Sequence, residues 1–559
     1  MKNITKILFT VYITSIIVAQ SPQRDYNEEL RYQNDAINKM KKEIEELSSK
    51  LRKANINETT TSKRITNLDE ELYDTLAAEN FFQTEDEYIA ALGQAYANFT
   101  MWGSHANVWS TNELSSDELV VPTRGGDWYD GGVLLQVHQH TYTPDNGFIS
   151  NAWGALYGGV NTTNRLIYQF SAVEGAEAFE AELRAIRAFW YYHLMDMYGN
   201  VPLSIDFTDT EAKGNTPRAS VYSWIMSELD AVINLLPTAK DGSTYGRMNK
   251  WAALALRHKM KLNAGVYTGA ADWAGAKADA DAIIASGLYS LEGDYSSNFA
   301  VENSGSNENI FVVPYDKVFA GGFNWVQMTL HYASQNTFNL QAQPWNGYAT
   351  VEDFYNSYVD PVSNPGPQGT VYKGKGTATG TLDSRLSNFV VGPQGTDDPA
   401  GGEAGDDDGV GLNFTPYINS IWPDACRQCG ARVGKYEYEM GGTPNMSNDW
   451  VLFRYADILL GKAEAHLRTG DAAGALGIVN QIRARAGVDA YASLDLDNLL
   501  AERGREMYVE NDRRQSLIRF GKFNDAWWEK GVSGSHMTIF PIPKSQLDAN
   551  SKLTQNPGY

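Results

Sequence analysis

The chain has 559 residues, with 46 Lys and Arg against 68 Asp and Glu, a net charge of −22 and 2 Cys. This charge argues against a nucleic-acid-binding protein, because phosphate backbones are bound by basic surfaces. A hydrophobic content of 43% and a charged content of 20% are typical of a globular protein, not a disordered one. Two cysteines are too few for a disulfide-rich scaffold.

The N-terminal segment differs in charge from the rest of the chain. Residues 1–64 hold 12 Lys and Arg and 8 Asp and Glu, a net of +4, so the remainder carries −26. Residues 1–19 predict a cleaved secretory signal, because Lys2 and Lys6 precede an apolar run that is too short to span a bilayer comfortably. An uncleaved anchor is the alternative. No cysteine lies near this segment, so no lipid-attachment motif is visible.

Residues 20–74 predict a coiled-coil segment. Apolar side chains recur every seven residues at Leu30, Ile37, Ile44 and Leu51, and a second series three residues later runs from Gln33 to Ala54. Two such series form the a/d seam of a coiled coil. We therefore expect self-association through the heptads of Leu30 to Ala54, with a solitary solvated helix as the alternative.

Helical periodicity dominates residues 82–290. It predicts helices over 84–99, 150–170, 176–198, 218–236, 248–267 and 271–286, and a further pair over 449–469 and 472–486. The last two helices of the first group and the later pair each resemble a tetratricopeptide unit. Small residues on both helices allow close packing, and a short turn makes the helices antiparallel. Their separation in sequence argues against a simple repeat array.

Residues 290–448 have a different character. Gly, Asn, Asp, Ser and aromatic residues predominate, helical signals are short, and strand-like pieces such as 310–313 occur. Long ordered loops on a helical scaffold commonly carry the ligand site. The sequence therefore predicts a mainly α fold with tetratricopeptide-type helix pairs and a loop-rich insertion region over 290–448, preceded by a coiled-coil helix.

Six stretches of the chain match the motifs of one protein family, in the family's order. They are ELRAIRAFW with YGNVPL (182–190, 198–203), TPRASVY (216–222), GRMNKWAA (246–253), RYADILL with NQIRARAG (454–460, 480–487), ERGRE with IRFGK (502–506, 518–522), and FPIP with QNPGY (540–543, 555–559). Through them, residues 75–559 resemble the SusD/RagB group, the surface glycan-binding proteins of Bacteroidetes nutrient-uptake systems.

The resemblance implies a SusD-like helical domain that binds oligosaccharides without turning them over. It also implies a location on the extracellular face of the outer membrane and a partner, a SusC-like TonB-dependent transporter that receives the captured glycan. Three features depart from the family. The lipid-bearing cysteine is not evident, the heptad segment 20–74 is not part of the usual pattern, and residues 514–516 replace an aromatic–Asp pair.

Sugar binding uses flat aromatic faces edged by amide and carboxylate groups. Two predicted loops offer this mixture, and the resemblance implies that loops of these two regions form the ligand surface. For each aromatic residue, the alternative is a structural side chain that fixes its loop to the body of the protein. The predicted substrate-binding residues are Trp102, Trp109, Asp127, Trp128 and Tyr129 in the first loop, and Asn324, Trp325, His331, Trp345 and Asn346 in the second.

The two cysteines, Cys426 and Cys429, lie three residues apart. Zinc binding would need a second ligand pair, and a redox role would need a thioredoxin-like context. An exported protein favours a local disulfide instead. The aspartates 406–408 could bind calcium through their oxygens, but a solvated acidic loop is the favoured interpretation. We therefore predict no cofactor.

Two other functions stay open beside glycan binding. An exported glycoside hydrolase would need two carboxylates about 5–10 Å apart across a cleft. A helical-repeat or coiled-coil adaptor would bind protein instead of sugar. We expect no enzyme, because the family that the chain resembles is non-catalytic and neither a Gly-rich phosphate loop nor a zinc-protease helix is evident.

Overall fold

The computed structural model describes residues 85–171, 173–358, 383–396, 404–405 and 409–559. The predicted signal over 1–19 and the predicted coiled coil over 20–74 therefore lie outside the described residues. The aspartates 406–408 lie outside them as well, so the predicted acidic loop and its calcium-binding alternative both stay untested.

Helices make up most of the regular structure, which confirms the predicted mainly α fold. They are α1 (Glu85–Ala97), α2 (Val108–Leu114), α3 (Val133–Gln139), α4 (Gly147–Phe170), α5 (Glu177–Tyr198), α6 (Arg218–Val232), α7 (Lys250–Leu262), α8 (Ala264–Thr268), α9 (Trp273–Ala285), α10 (Trp325–Thr329), α11 (Ser334–Phe338), α12 (Glu352–Asn356), α13 (Tyr455–Arg468), α14 (Ala472–Ala486), α15 (Leu496–Met507), α16 (Arg513–Arg519) and α17 (Lys544–Ala549). Short 3-10 helices lie at Asn98–Gly103, Asp130–Gly132, Tyr295–Phe299, Ser384–Asn388 and Ser535–Thr538. None of the described helices combines the length and the hydropathy needed to cross a membrane.

Capping side chains fix where several helices begin. The Asn146 and Asn249 side chains accept hydrogen bonds from backbone N–H groups in the first turns of α4 and α7. Asp272, Asp471 and Asp495 do the same for α9, α14 and α15. Such caps satisfy backbone donors that have no partner inside the helix. They explain why α4, α7, α9 and α14 begin close to their predicted positions.

The two tetratricopeptide-type pairs lie together although they are far apart in sequence. Helix α7 packs against α9, α13 packs against α14, and α9 and α13 pack against each other. At the contact of α7 with α13, a Cβ on Gly461 would lie 2.1 Å from Nε2 of His258, so only glycine fits there. Lys462 of α13 also pairs with Asp281 of α9 at 2.7 Å. The four helices therefore form one continuous packed layer.

The predicted helix over 449–469 begins later than expected. Trp450–Arg454 form strand β8, which pairs antiparallel with β2 (Asn309–Val313). Aromatic and β-branched residues favour such buried strands. The predicted helix over 218–236 ends earlier, at Val232, and the one over 248–267 is divided at Asn263 into α7 and α8.

Small antiparallel ladders bring distant loops together. They are β1 (Leu119–Val120) with β3 (Ala349–Thr350), β4 (Phe389–Val390) with β7 (Arg432–Val433), and β5 (Gly392–Pro393) with β6 (Asn413–Phe414). The N–H of Thr350 also donates to the carbonyl of Ala431 at 2.9 Å. The loop after β1, the loop before β3 and the loop before β7 therefore emerge side by side.

The motif residues around 502–513 form a buried ionic network. Arg454 contacts Glu308 and Glu510 at 2.7 Å and Glu506 at 2.6 Å, and all four side chains are buried. Arg385 also approaches Glu506, at 3.2 Å. This part of the family motif therefore forms ion pairs in the interior of the fold and is not placed to contact a ligand.

Residues 514–516, which replace the family's aromatic–Asp pair, make polar contacts of their own. Arg514 pairs with Asp196 at 2.8 Å, and the Gln515 side chain accepts a hydrogen bond from the Tyr192 hydroxyl at 2.7 Å. The local packing therefore uses other polar partners at this departure from the family.

Two buried carboxyls make stability depend on pH. Glu113 accepts a hydrogen bond from the N–H of Asn511, and Glu118 accepts one from the N–H of Val509 at 3.0 Å. Burial raises the pKa of Glu113 from 4.5 to about 8. A carboxyl that is protonated when folded and ionised when unfolded loses stability as pH rises from about 5 to 8. We expect Glu113→Gln, which keeps the shape without titrating, to gain stability relative to the native chain over that range.

Urea denaturation of both proteins at pH 5, 7 and 8.5 measures this difference. Glu174→Gln, at an exposed position, serves as the control and should leave the pH dependence unchanged. A stability difference between Glu113→Gln and the native chain that stays constant across the three pH values would contradict a protonated Glu113.

Candidate functional site

Four aromatic rings from three neighbouring loops lie together at one surface. We call Trp128, Tyr129, Trp345 and Trp422 the aromatic platform. Tyr129, Trp345 and Trp422 are 42%, 37% and 50% exposed, and Trp128 is half-buried. The Trp128 ring centroid lies 6.3 Å from that of Trp345, and the Tyr129 centroid lies 6.2 Å from that of Trp422. The platform offers several flat apolar faces to a ligand.

The first loop, residues 121–132, holds Trp128 in an unfavourable backbone conformation. Arg124 and Asp127 exchange backbone hydrogen bonds of 3.3 and 3.2 Å across a tight turn. Trp128 then has a φ of 65°, which costs a non-glycine residue about 1–3 kcal/mol. Its indole N–H donates to the carbonyl of Trp345 at 2.7 Å. The surroundings therefore enforce the position of this ring.

The approach of the first loop to the second requires a glycine at position 347. A Cβ there would lie 2.6 Å from the Trp128 ring and 2.6 Å from the Met328 carbonyl. We expect Gly347→Ala to displace the Trp128 ring, to cost about 1–3 kcal/mol through overpacking, and to weaken ligand binding at the platform. Thermal unfolding and binding assays measure the two effects.

The matched control is Gly154→Ala in helix α4, where a Cβ would meet nothing within 4 Å. Alanine is the better helix former, so this variant should be as stable as the native chain or slightly more stable. If Gly347→Ala behaved like this control, the tight packing of Trp128 would have no bearing on the platform.

The third loop, residues 415–430, presents Trp422 and is fixed at two points. Cys426 and Cys429 are joined by a disulfide, which confirms the predicted local bridge. Thr123 of the first loop donates to the carbonyl of residue 421 at 2.9 Å and accepts from the N–H of residue 425 at 3.0 Å. The first and third loops therefore form one structural unit.

Two buried arginines connect the second and third loops. The Arg124 guanidinium donates to the carbonyls of Asn346, Gly347 and Cys429 at 2.7, 2.8 and 2.9 Å. Arg432 donates to the Asn346 side-chain oxygen at 2.7 Å and to the Cys429 carbonyl at 2.8 Å. A guanidinium has five donors in a rigid fork, which suits it to bridging several carbonyls at once.

Polar groups edge the platform. The Tyr332 hydroxyl donates to the exposed carboxylate of Asp127, and burial together with this bond raises the pKa of Tyr332 to about 12. The exposed Arg427 guanidinium lies 5.5 Å from the centre of the Tyr332 ring. His105 meets the Trp345 ring edge to face at 5.4 Å, and burial lowers its pKa. Sugar hydroxyls would find both donors and acceptors here.

Three predicted site residues belong to the core instead. Trp102, Trp109 and Trp325 are at most 1% exposed. The reason is that they lie on helical segments and not on loops: Asn98–Gly103 for the first, α2 for the second and α10 for the third. The Trp109 and Trp325 rings lie 4.9 Å apart. These residues leave no ring face open to a ligand and support the loops from below.

The remaining predicted residues divide between the surface and the layer beneath it. Asn324 is half-buried at the N-cap of α10, and His331 and Asn346 are buried. Burial and then the nearby arginine charges lower the pKa of His331 to about 3, so it is neutral at pH 7. Of the predicted set, the structure brings together four residues at the surface: Asp127, Trp128, Tyr129 and Trp345.

Three residues of the third loop were not among the predicted site residues. Trp422, Tyr417, which is 55% exposed, and Arg427 all flank or lie within the disulfide-bonded stretch. The predicted disulfide was the available signal. A loop held by a bridge and rich in aromatic residues is a rigid support for exposed rings.

A cavity of about 290 Å³ elsewhere is a poorer candidate for a sugar. Carboxylates predominate among its charged groups, which include Glu302, Asp316, Glu439 and Asp449. Its lysine, Lys317, already contacts both Glu439 oxygens at 2.7 Å. Among the residues the structure describes, no three His, Cys, Asp or Glu side chains gather where they could hold a metal ion.

Two family models match the chain. The model of the SusD family matches residues 307–538, and one described as "Starch-binding associating with outer membrane" matches residues 68–262. The "Starch-binding protein SusD" of Bacteroides thetaiotaomicron is 27% identical over 82% of this chain and 86% of its own length. "SusD-like protein P2" of Formosa agariphila is 24% identical over 88% of this chain and 96% of its own length.

Solved structures show the same fold. A "Laminarin binding SusD-like protein" aligns with a TM-score of 0.67 at 22% identity, covering 86% of this chain and 100% of its own. "Surface glycan-binding protein A" from Bacteroides thetaiotaomicron, in complex with laminarihexaose, aligns with a TM-score of 0.66 at 21% identity. That alignment covers 85% of this chain and 100% of the other.

Proposed function

We propose, since this chain is a SusD/RagB-like protein, that it binds glycans at the cell surface through the aromatic platform and passes them to a SusC-like TonB-dependent transporter. The observation that carries the binding proposal is the presence of three exposed rings, Tyr129, Trp345 and Trp422, on loops that are held rigidly. Relatives named for starch and laminarin binding support the same ligand class.

The geometry of the platform supports this proposal. A pyranose ring has an apolar face that stacks on an aromatic ring, while its hydroxyls seek hydrogen-bonding groups at the edge. Asp127, Tyr332 and Arg427 supply acceptors and donors there. Because the disulfide and the buried arginines fix the loops beforehand, little conformational freedom is lost on binding. The proposed mechanism is capture without bond cleavage.

The location and the partner are the finer parts of the proposal. The family model that matches residues 68–262 is described as associating with the outer membrane, and the predicted signal over 1–19 is consistent with export. The transporter partner rests on the family resemblance. Co-purification of the tagged protein with a TonB-dependent transporter from the native membrane would support it, and recovery of the protein alone would count against it.

A polysaccharide panel tests the binding proposal. We expect the purified protein to be retarded in gels that contain one class of polysaccharide and to release no reducing ends from it. Because no cofactor is proposed, the protein should bind equally well in the presence of a chelator. Reducing ends released at catalytic rates would favour the hydrolase. Retardation by none of the polysaccharides, with capture of a specific protein partner instead, would favour the adaptor.

A further inference from the structure

The hairpin over residues 316–320 exposes two apolar side chains, Val318 and Phe319, which we call the apolar tip. Val318 is 72% exposed and Phe319 is 91% exposed, the highest value for a large apolar side chain in the described part of the chain. Single exposed apolar residues are ordinary on protein surfaces. Two adjacent ones on a projecting turn form an apolar patch of the kind that marks an interaction site.

Hydrogen bonds fix the backbone of the apolar tip. Asp316 and Ala320 exchange backbone hydrogen bonds of 3.1 and 3.0 Å across the hairpin. The Asp316 carboxylate also accepts hydrogen bonds from the N–H groups of Val318 and Phe319, at 2.7 and 2.8 Å. Because the turn is already held in place, its two side chains would lose little conformational freedom on contact with a partner.

The same hairpin forms part of the wall of the carboxylate-lined cavity. Asp316 and Lys317, the two residues before the tip, line it together with Glu302, Glu439 and Asp449. Lys317 is the one cation among the described lining residues, and both oxygens of Glu439 contact it at 2.7 Å. Backbone hydrogen bonds lower the pKa of Asp316, whereas burial raises the pKa of Asp449. The negative excess of the cavity is therefore carried mainly by Glu302 and Asp316.

An apolar tip beside an excess of carboxylates restricts the class of partner. A membrane surface presents phosphate groups, which the carboxylates would repel. A second copy of this chain, with its net charge of −22, would bring like charges together. A protein segment that carries a lysine or arginine among apolar residues suits both features, because its apolar side chains can pack on the tip while its cation enters the cavity.

We propose that the apolar tip and the adjoining cavity form a docking site for a segment of another protein, one that presents a lysine or arginine beside apolar side chains. Phe319 supplies the apolar anchor, and the carboxylates of Glu302 and Asp316 attract the cation. The inference goes beyond glycan capture, because this surface shares no residue with the aromatic platform.

Photo-crosslinking from the tip tests the proposal. The full chain, with photoreactive p-benzoylphenylalanine in place of Phe319, is produced in its native cells, and the crosslinked peptides are identified by mass spectrometry. We expect a peptide of another protein with a lysine or arginine close to the crosslinked residue. Its yield should be at least tenfold higher than from the same replacement at Val532, an apolar position that is 81% exposed. A yield no higher than that from Val532, or crosslinks only to this chain itself, would overturn the inference.

Charge variants test the role of the cavity. Glu302→Lys should reduce the crosslink yield from position 319 about tenfold, which is the loss of one charge-assisted contact. Glu174→Lys, at another exposed position, should leave the yield unchanged. An unaltered yield in Glu302→Lys would overturn the part assigned to the cation. Phe319→Ser should bind polysaccharide as the native chain does, and a loss of that binding would assign the tip to sugar instead and overturn the inference.

Discussion

Replacing Trp345 and Trp422 together by alanine is expected to reduce glycan affinity by about a hundredfold or more. These are two of the exposed rings of the platform, and they come from different loops. Truncating one aromatic anchor at a binding site commonly costs about 2 kcal/mol, which is roughly thirtyfold in affinity. The two losses should not simply add if one sugar ring contacts both side chains. Affinity gels or calorimetry with the polysaccharide identified by the panel measure the effect.

Tyr168→Ala is the matched control for the platform variant. Tyr168 is 54% exposed and lies at the C-terminal end of helix α4, where its ring meets Phe207 at 5.9 Å. Its removal should leave glycan affinity unchanged. If the Trp345 and Trp422 variant bound as tightly as the native chain and the Tyr168 variant bound more weakly, the platform would be ruled out as the binding surface.

Arg454→Met is expected to destabilise the fold by about 3–5 kcal/mol. The change leaves the buried carboxylates of Glu308, Glu506 and Glu510 without their shared cation. Arg485 would still contact Glu308 and Glu506, and Lys435 would still contact Glu510, but the buried negative charge would exceed the positive charge left beside it, which is among the costliest defects in a protein interior. Urea denaturation at pH 7 measures the loss. Lys544→Met, which breaks the exposed pair with Asp548, should change stability by less than 1 kcal/mol.

The same network sets the response to acid. Although burial opposes the effect, the charges of Arg485, Arg454 and Arg385 hold the pKa of Glu506 well below its usual value of 4.5. A carboxyl with a lowered folded pKa contributes stability that is fully present above pH 4.5 and is lost progressively as the pH falls below that value. Near pH 3, Arg454→Met should therefore lie closer in stability to the native chain than at pH 7. A gap of less than 1 kcal/mol at pH 7 would show that the network is not what stabilises this region.

The sequence predicted the long helices between residues 84 and 286 and the pair over 449–486 because their signals are local, but it did not predict α15 or the shorter helices. Periodicity, caps such as Asn146 and Asp471, and breaker residues all act within a turn or two of the chain. The sequence did not predict that α9 and α13 pack on each other, because nothing local links segments so far apart. Strand β8 was read as helix because its pairing partner, β2, lies more than a hundred residues away in the chain.

The site was harder to predict because the sequence around a tryptophan does not show whether its side chain is buried or exposed. Trp109 and Trp345 were named on equal grounds, yet the first lies in the core and the second at the surface. Burial depends on which face of a short helix meets the body, and short helices leave little periodic signal. The role of Arg124 was also out of reach, since its partners come from loops more than two hundred residues away.

Motif residues such as Arg454 and Glu506 have a structural role. They made the family resemblance specific, and they proved to be buried ion pairs that shape the interior. Trp422 lies outside the matched motifs and is half exposed at the platform. The motifs that carry the family resemblance therefore identify the scaffold, whereas the residues that we propose to meet the ligand lie on the loops between them.

A crystal structure of the protein with an oligosaccharide from the polysaccharide that it binds tests the platform most directly. We predict a sugar ring stacked on Trp345 or Trp422, with its hydroxyls near Tyr332 and Asp127. A sugar found instead in the carboxylate-lined cavity beside Asp449, with the four rings of the platform uncovered, would contradict the proposed site.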